Sequence, residues 1–304
     1  MNNTDKHNNR SADHHSDNED NSTPETIIII NCVLNAPLML MSILGNALVL
    51  AAIVRTPSIR STPHMIMLCS LAVSDFLVGL IAQPLFIAKE LTKDPLLNNL
   101  VVTVAFSVCG VSLLTMTTLS VDRFLALHYH MRYATLVTES RVKYTLIIIW
   151  LLSFLASGSF FWNKRLHSFV FGICTILLVI ISTFSHIRIY LIVRLHQSQI
   201  HAQQQAVQSS SAENNLNMTR LKRSAFNIFL FYIALILCYC PIYVTLTVFA
   251  TSGKDWQTEW NFAHTAVFMN SSINPVLYCW RLRELRAAVV KTARQMLCKQ
   301  TVQN

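Results

Sequence analysis

Long apolar blocks, broken by short polar stretches, set the pattern of this chain. Seven runs, at about 27–54, 63–88, 98–127, 143–162, 168–194, 223–251 and 260–280, each supply the roughly 20 residues a helix needs to cross a bilayer. Residues 1–26, rich in Asn, Asp, His and Ser, lack the apolar content for a core and are predicted to form a disordered tail. The Gln- and Ser-rich stretch 195–222 is either a flexible third inner loop or a helical extension of its neighbours. Beyond residue 280 the pattern becomes amphipathic. Leu282, Leu285, Val289 and Met296 fall near one face over 281–297, with Arg283, Arg286 and Arg294 elsewhere, which suits a helix on the membrane surface. The predicted fold is an all-α membrane protein: a seven-transmembrane helix bundle over 27–280 with a short amphipathic helix and tail over 281–304.

Charge orients the bundle. Of the 24 Lys and Arg residues, seventeen fall on the loops that share a side with the C-terminus and seven on the other set. Positive residues stay inside, so the N-terminus is expected outside the cell, in the plasma membrane, and the C-terminus in the cytoplasm. The first span does its own targeting, because no basic segment adjoins it as in a cleavable leader. The composition, 53% hydrophobic and 13% charged, lies far from the soluble norm of about 25% charged. Basic residues do not gather into a nucleic-acid stripe. Six of eight cysteines lie inside apolar runs, so no structural disulfide is expected. Asn2 and Asn21 head glycosylation sequons. Cys298, beside the basic surface helix, is a candidate palmitoylation site.

Ionisable and amide groups inside lipid are costly and invite functional readings. Span two carries Asp75; span one carries Asn46, whose simplest role is to glue helices together. Span seven carries Asn270, Ser271 and Asn274, then Pro275 and Tyr278. On span three, Ala105, Cys109, Ser112, Met116, Leu119 and Arg123 follow at steps of four and three and share one stripe. Asp75, Ser112, Asn270, Ser271 and Asn274 offer mostly oxygen ligands, the chemistry of a hard cation. Asp122 and Arg123 close the apolar run at its inner end. No His-Glu-x-x-His, Gly-x-Ser-x-Gly or clustered metal-ligand spacing points to an enzyme. A transporter using Asp75 and the asparagines would show inverted repeats and paired broken helices; neither is found.

In order along the chain, Gly45-Asn46, Leu71-Ala72-x-x-Asp75, Asp122-Arg123-Phe124, Trp150, Cys238-x-x-Pro241 and Asn274-Pro275-Val276-Leu277-Tyr278 resemble the markers of rhodopsin-like (class A) G-protein-coupled receptors. The resemblance spans about residues 27–297. It implies a receptor that passes an extracellular signal to a heterotrimeric G protein. It also implies an allosteric sodium ion at Asp75, Ser112, Asn270, Ser271 and Asn274, and no other metal or cofactor. Asp122, Arg123, Tyr239, Pro241, Pro275 and Tyr278 match the family's activation switch, and Arg123 and Met131 its G-protein contact. Several positions depart from the family. The outer-loop disulfide is missing, Leu178 replaces a span-five proline, His186 a tyrosine, Tyr239 a tryptophan and His130 a proline. No acid stands near Arg220 to Arg223 to lock Arg123. A short second outer loop and a proline-free span five are similar to the melanocortin and cannabinoid branch, and Arg188-Ile189-Tyr190-Leu191 to adenosine receptors. A non-signalling accessory receptor is the alternative these departures leave open.

By the same resemblance, Ala105 stands where amine receptors keep an aspartate, Phe268 where opsins keep a lysine, and Leu246 where adenosine receptors keep an asparagine. The expected pocket is lined by Ala105, Phe106, Cys109, Tyr239, Tyr243, Leu246, His264 and Phe268, apolar and aromatic with few polar handles. A lipid or small amphiphile fits it better than a highly charged ligand. A peptide engaging Glu90, Asp94, Asp255 or Glu259 is the other expectation.

Overall fold

The computed structural model describes residues 25–92, 94–129, 132–206, 233–248 and 257–301, a few of them, such as Cys298, by backbone alone. The sequons at Asn2 and Asn21, together with Met131, His130, Asp255 and Arg220 to Arg223, lie outside the described residues. The Cys298 side chain does too.

Span one is α1 (Glu25–Arg55), with an acid in its first turn and a base in its last, as the helix dipole favours. After a short α2 (Pro57–Arg60), span two begins as α3 (Pro63–Leu77) with proline at its first position. It loosens into a π-helical turn, Val78–Ala82, and continues as α4 (Gln83–Thr92). Pro84 explains the turn. Its ring cannot donate a backbone N–H and would collide with the carbonyl one turn back, and a π-bulge relieves both. Span three is α5 (Pro95–Tyr129), followed by α6 (Tyr133–Leu136) in the inner loop. Span four, α7 (Glu139–Gly158), is capped by the Thr138 hydroxyl, which accepts from the Arg141 backbone N–H. It ends in a 3₁₀ turn over Ser159–Phe161.

Only Trp162 and Asn163 separate that turn from span five, α8 (Lys164–Ala206). With no proline in it, α8 runs unbroken well past the membrane. The stretch that begins at 195 is thus a helical extension as far as Ala206. Span six is described as α9 (Ile233–Val248) and span seven as α10 (Gln257–Arg281). Five described helices are long and apolar enough to cross a membrane by composition alone. Span seven falls short because Asn261, His264, Asn270 and Asn274 dilute its hydropathy, and three of these four are buried. Polar content that faces inward does not disqualify a span; it marks the functional one.

Helix α11 (Arg283–Thr301) packs against α1 and α10. It buries Leu285, Ala288, Val289 and Thr292 while Arg283, Arg286 and Arg294 stay exposed. Met296, expected on the apolar face, is exposed at 38%. Two turns after Val289 the drift is only about 20°, so Met296 stays on the stripe but is not covered there.

The main core joins spans one to four, six and seven around Val49, Leu68, Val111, Tyr239, Phe268 and Tyr278. Spans four and five keep much of their surface for lipid. Among the described residues every cysteine is a free thiol. Two glycines permit close helix crossings. A Cβ on Gly45 would stand 2.9 Å from Pro275 Cγ, and one on Gly79 would stand 2.9 Å from both Ser42 Cβ and Ile43 Cγ1.

Candidate functional site

Asp75 is fully buried where α3, α5 and α10 meet. Ser112 Oγ donates to its Oδ1 at 2.9 Å and Ser271 Oγ at 2.8 Å; Asn274 Nδ2 donates to Oδ2 at 2.8 Å. Each bond to a charged acceptor contributes about 1.5–3 kcal/mol. The Ser42 hydroxyl reaches the Asp75 backbone carbonyl at 2.7 Å. Asn46 donates to the carbonyls of Ser42 and Ser271 at 2.8 and 3.1 Å, the gluing role expected of it. Four of the five expected cation ligands are thus gathered. Asn270 donates instead to Met116 Sδ at 3.4 Å, a sulfur that Asn274 Nδ2 also reaches at 4.0 Å. Two acceptors, Asn274 Oδ1 and Asn46 Oδ1, are buried without a hydrogen-bond donor among the described residues. A buried carboxylate with spare oxygens beside it fits a hard cation.

The stripe on span three leads inward. Ala105, Cys109, Ser112, Met116 and Leu119 are all buried. At the inner end, Arg123 Nη2 lies 3.3 Å from Asp122 Oδ2, with the Arg123 side chain 28% exposed and that of Asp122 at 2%. Among the described residues Asp122 is the acid that pairs with Arg123, and the inner loop adds a partner. Tyr133 donates its hydroxyl to Asp122 Oδ1 at 2.7 Å. Burial and this bond raise the Tyr133 pKa, so it remains a donor. Tyr239 and Tyr278 are buried in the core, and Pro275 lies within α10.

The outer half holds an aromatic cleft. Phe106 meets Phe171 and His167 edge-on, at 4.4 and 4.9 Å between ring centroids. Phe86 meets Phe268 edge-on at 5.4 Å and stacks on His264 at 6.1 Å. Ala105, Cys109, Tyr239, Leu246 and Phe268 belong to the same buried cluster, with Tyr243 packed on it. His264 Nδ1 lies 2.7 Å from the Trp260 carbonyl. A carbonyl only accepts, so Nδ1 carries the proton and the neutral ring keeps Nε2 as an acceptor.

This arrangement has relatives. The model of the 7 transmembrane receptor (rhodopsin family) matches residues 45–162. The histamine H2 receptor of Canis lupus familiaris is 26% identical, over 88% of this chain and 79% of its own length. The adenosine receptor A2b of Gallus gallus is 24% identical, over 92% and 91%. Melanocortin receptor 4 of Danio rerio is 22% identical, over 89% and 85%.

These likenesses support a rhodopsin-like (class A) G-protein-coupled receptor.

The receptor's site contains residues that sequence spacing did not single out. Phe86 was hidden by the π-turn, which shifts the register of outer span two. His167 and Phe171 sit at i and i+4 on span five, a spacing that was legible but had no partner to point at. Glu90, expected to face an external peptide, is instead buried at 5%, paired with Lys89 at 3.2 Å and bonded to Asn261. Burial removes it from an external ligand's reach. Tyr133 yields a direct prediction. In Tyr133→Phe, Asp122 Oδ1 loses the Tyr133 hydroxyl as its donor and the carboxylate is less well held in its charged form. The receptor's basal nucleotide exchange is expected to rise about tenfold or more, as the loss of a charge-assisted bond of about 1.5 kcal/mol implies. Unchanged or lower basal exchange, at equal surface expression, contradicts this.

Proposed function

We propose that the receptor lies in the plasma membrane with its N-terminus outside and binds an apolar or amphiphilic ligand in the cleft around Phe106, Phe268 and His264. It then hands the signal to a heterotrimeric G protein through Arg123. The observation that carries this reading is the buried stripe of span three. It connects the cleft at Ala105 to the partly exposed Arg123 through Ser112, which bonds to Asp75. Ala105 in place of an acid speaks against a cationic amine head. The free acceptor on His264 suits a neutral ligand that donates a hydrogen bond.

Ligand binding shifts an equilibrium between two arrangements of the inner face. Asp75, Ser112, Ser271 and Asn274 would hold a sodium ion in the resting arrangement, where its charge balances the buried carboxylate. The test of the whole reading is nucleotide exchange on a panel of G proteins with the wild-type chain. Exchange above that of receptor-free membranes on at least one partner is expected. None, basal or with lipid and amphiphile libraries, would leave an accessory receptor as the better account. For the cation, Asp75→Asn keeps an acceptor and the shape but removes the charge. It is expected to abolish the rise in melting temperature that sodium, compared with choline, gives the purified receptor. A rise that persists in the variant removes the cation from Asp75.

A further inference from the structure

Outward of Asp75, three helices turn polar side chains toward one another along a single line. On span two, Asp75, Gln83 and Glu90 are all buried. Eight residues separate the first two and seven the next. Seven residues make two α-helical turns; the π-turn at Val78–Ala82 absorbs the eighth. The three therefore share one stripe, despite a spacing that in a regular helix would splay them. On span one, Asn31, Asn35, Ser42 and Asn46 are buried at intervals of four, seven and four. On span seven, Asn261, Thr265 and Ser272 are buried at intervals of four and seven.

Hydrogen bonds stitch these stripes together. Asn261 Nδ2 donates to Glu90 Oε2 and Lys89 Nζ donates to Asn261 Oδ1. Thr265 Oγ1 donates to Asn31 Oδ1 at 2.6 Å and accepts from Asn35 Nδ2 at 2.8 Å. Ser272 Oγ donates to the Leu38 carbonyl at 2.7 Å. The charge of Lys89 is spent on Glu90 and on the face of Phe86. The seam is thus close to neutral at its outer end and acidic at Asp75.

The stitching is incomplete in one respect. Both amide atoms of Gln83, Nδ2 of Asn31 and Oδ1 of Asn35 are fully enclosed without a hydrogen-bond partner among the described residues. Buried amides are costly to leave unbonded, most of all within a membrane. Their mixture of donors and acceptors is what small clusters of water satisfy. The aromatic cleft alongside, walled by Phe86 and Phe268, offers a cation ring faces but no such row of amide and hydroxyl groups.

We propose that this seam is hydrated and is the route by which a sodium-sized monovalent cation passes between the outer solution and Asp75. The route rests on the reading of Asp75 as a cation site, yet it is tested without it. Silver ion is a monovalent probe that traps thiols. In intact full-length receptor, Gln83→Cys is exposed to silver from outside, and the introduced thiol is then scored for protection from alkylation after denaturation. The wild-type cysteines give the background, and Leu40→Cys, on the lipid-facing side of span one, gives the lipid control. Gln83→Cys is expected to react at least about tenfold faster than Leu40→Cys, because the thiolate that binds a soft cation forms in water and not in lipid. Adding Asn35→Leu, which plugs the seam without touching the cleft residues, is expected to slow it back toward the control. Thr265→Cys, closest in size to the native residue, replaces Gln83→Cys if the latter fails to reach the surface. A rate no faster than Leu40→Cys, or no slowing by Asn35→Leu, overturns the proposal. Failure of the Asp75 reading would show separately, as a sodium response that survives Asp75→Asn.

Discussion

Arg123→Ala is expected to bring nucleotide exchange down to the level of receptor-free membranes, a loss of at least about tenfold, while surface expression holds. The guanidinium is the one strongly basic group that the buried stripe of span three delivers to the inner face, and it is 28% exposed while its partner Asp122 is enclosed. Its Nε has no hydrogen-bond partner among the described residues, so part of its donor fork is uncommitted there. A planar fork of five donors can bridge backbone carbonyls of an incoming partner in a way a point charge cannot. Arg123→Lys should therefore recover only a minor part of the exchange. Full exchange in Arg123→Ala, measured on the G protein that responds best to wild type, would remove Arg123 from the coupling step. The stability side of the same substitution is milder, since Asp122 keeps its bond from Tyr133.

The second large effect is on folding. Gly79→Leu is expected to yield no folded receptor at the cell surface, and Gly79→Ala a receptor destabilised by about 1–3 kcal/mol, the usual cost of overpacking. The reason is what a Cβ would meet. Two contacts at 2.9 Å are joined by the backbone nitrogen of Ile43 at 3.1 Å, and backbone cannot rotate away. Gly79 sits inside the π-turn, so span one presses on span two at the point where span two is least regular. Thermal unfolding of the purified Gly79→Ala variant reads the effect; a melting temperature equal to wild type would mean that span one is free to shift. Gly45→Ala is expected to cost less, because its neighbour Pro275 Cγ is the tip of a ring that can pucker.

Much of the fold could be read from periodicity, because a membrane span must be long, apolar and helical to satisfy its backbone. The Asp75 cluster could be read too. A carboxylate in lipid demands donors, and Ser112, Ser271 and Asn274 were among the few polar groups at the matching depth. Asn270 shares a face with Asn274 and meets the same Met116 sulfur, so the face alone did not tell which of the two would bond to Asp75. Outer span two was misjudged for a different reason. Helical counting from Asp75 places Gln83 and Glu90 off the buried stripe, and only the π-turn returns them to it. Glu90, offered as one of four acids for a peptide ligand, is therefore buried. Tyr133 was invisible because its bond to Asp122 depends on how the inner loop folds back, which no local spacing encodes. The aromatic cleft was half legible: the span-three, six and seven residues followed from the resemblance, whereas Phe86 and Phe171 needed the packing itself.

The link between spans four and five has a consequence for how the protein is made. Trp162 and Asn163 alone join the 3₁₀ turn to α8, with the Asn163 side chain accepting the Leu166 backbone N–H to start the next helix. Two residues give neither helix room to enter the bilayer ahead of the other. The pair must leave the translocation machinery as a single hairpin, with the two helices lying antiparallel from the start. Both keep wide lipid-facing surfaces, so the hairpin can wait in the membrane and then dock on span three, through Ser157 on Ser107 and Ser182 on Ser120. Assembly of the ligand cleft, which needs His167 and Phe171 against Phe106, is thereby a late docking step rather than an insertion step.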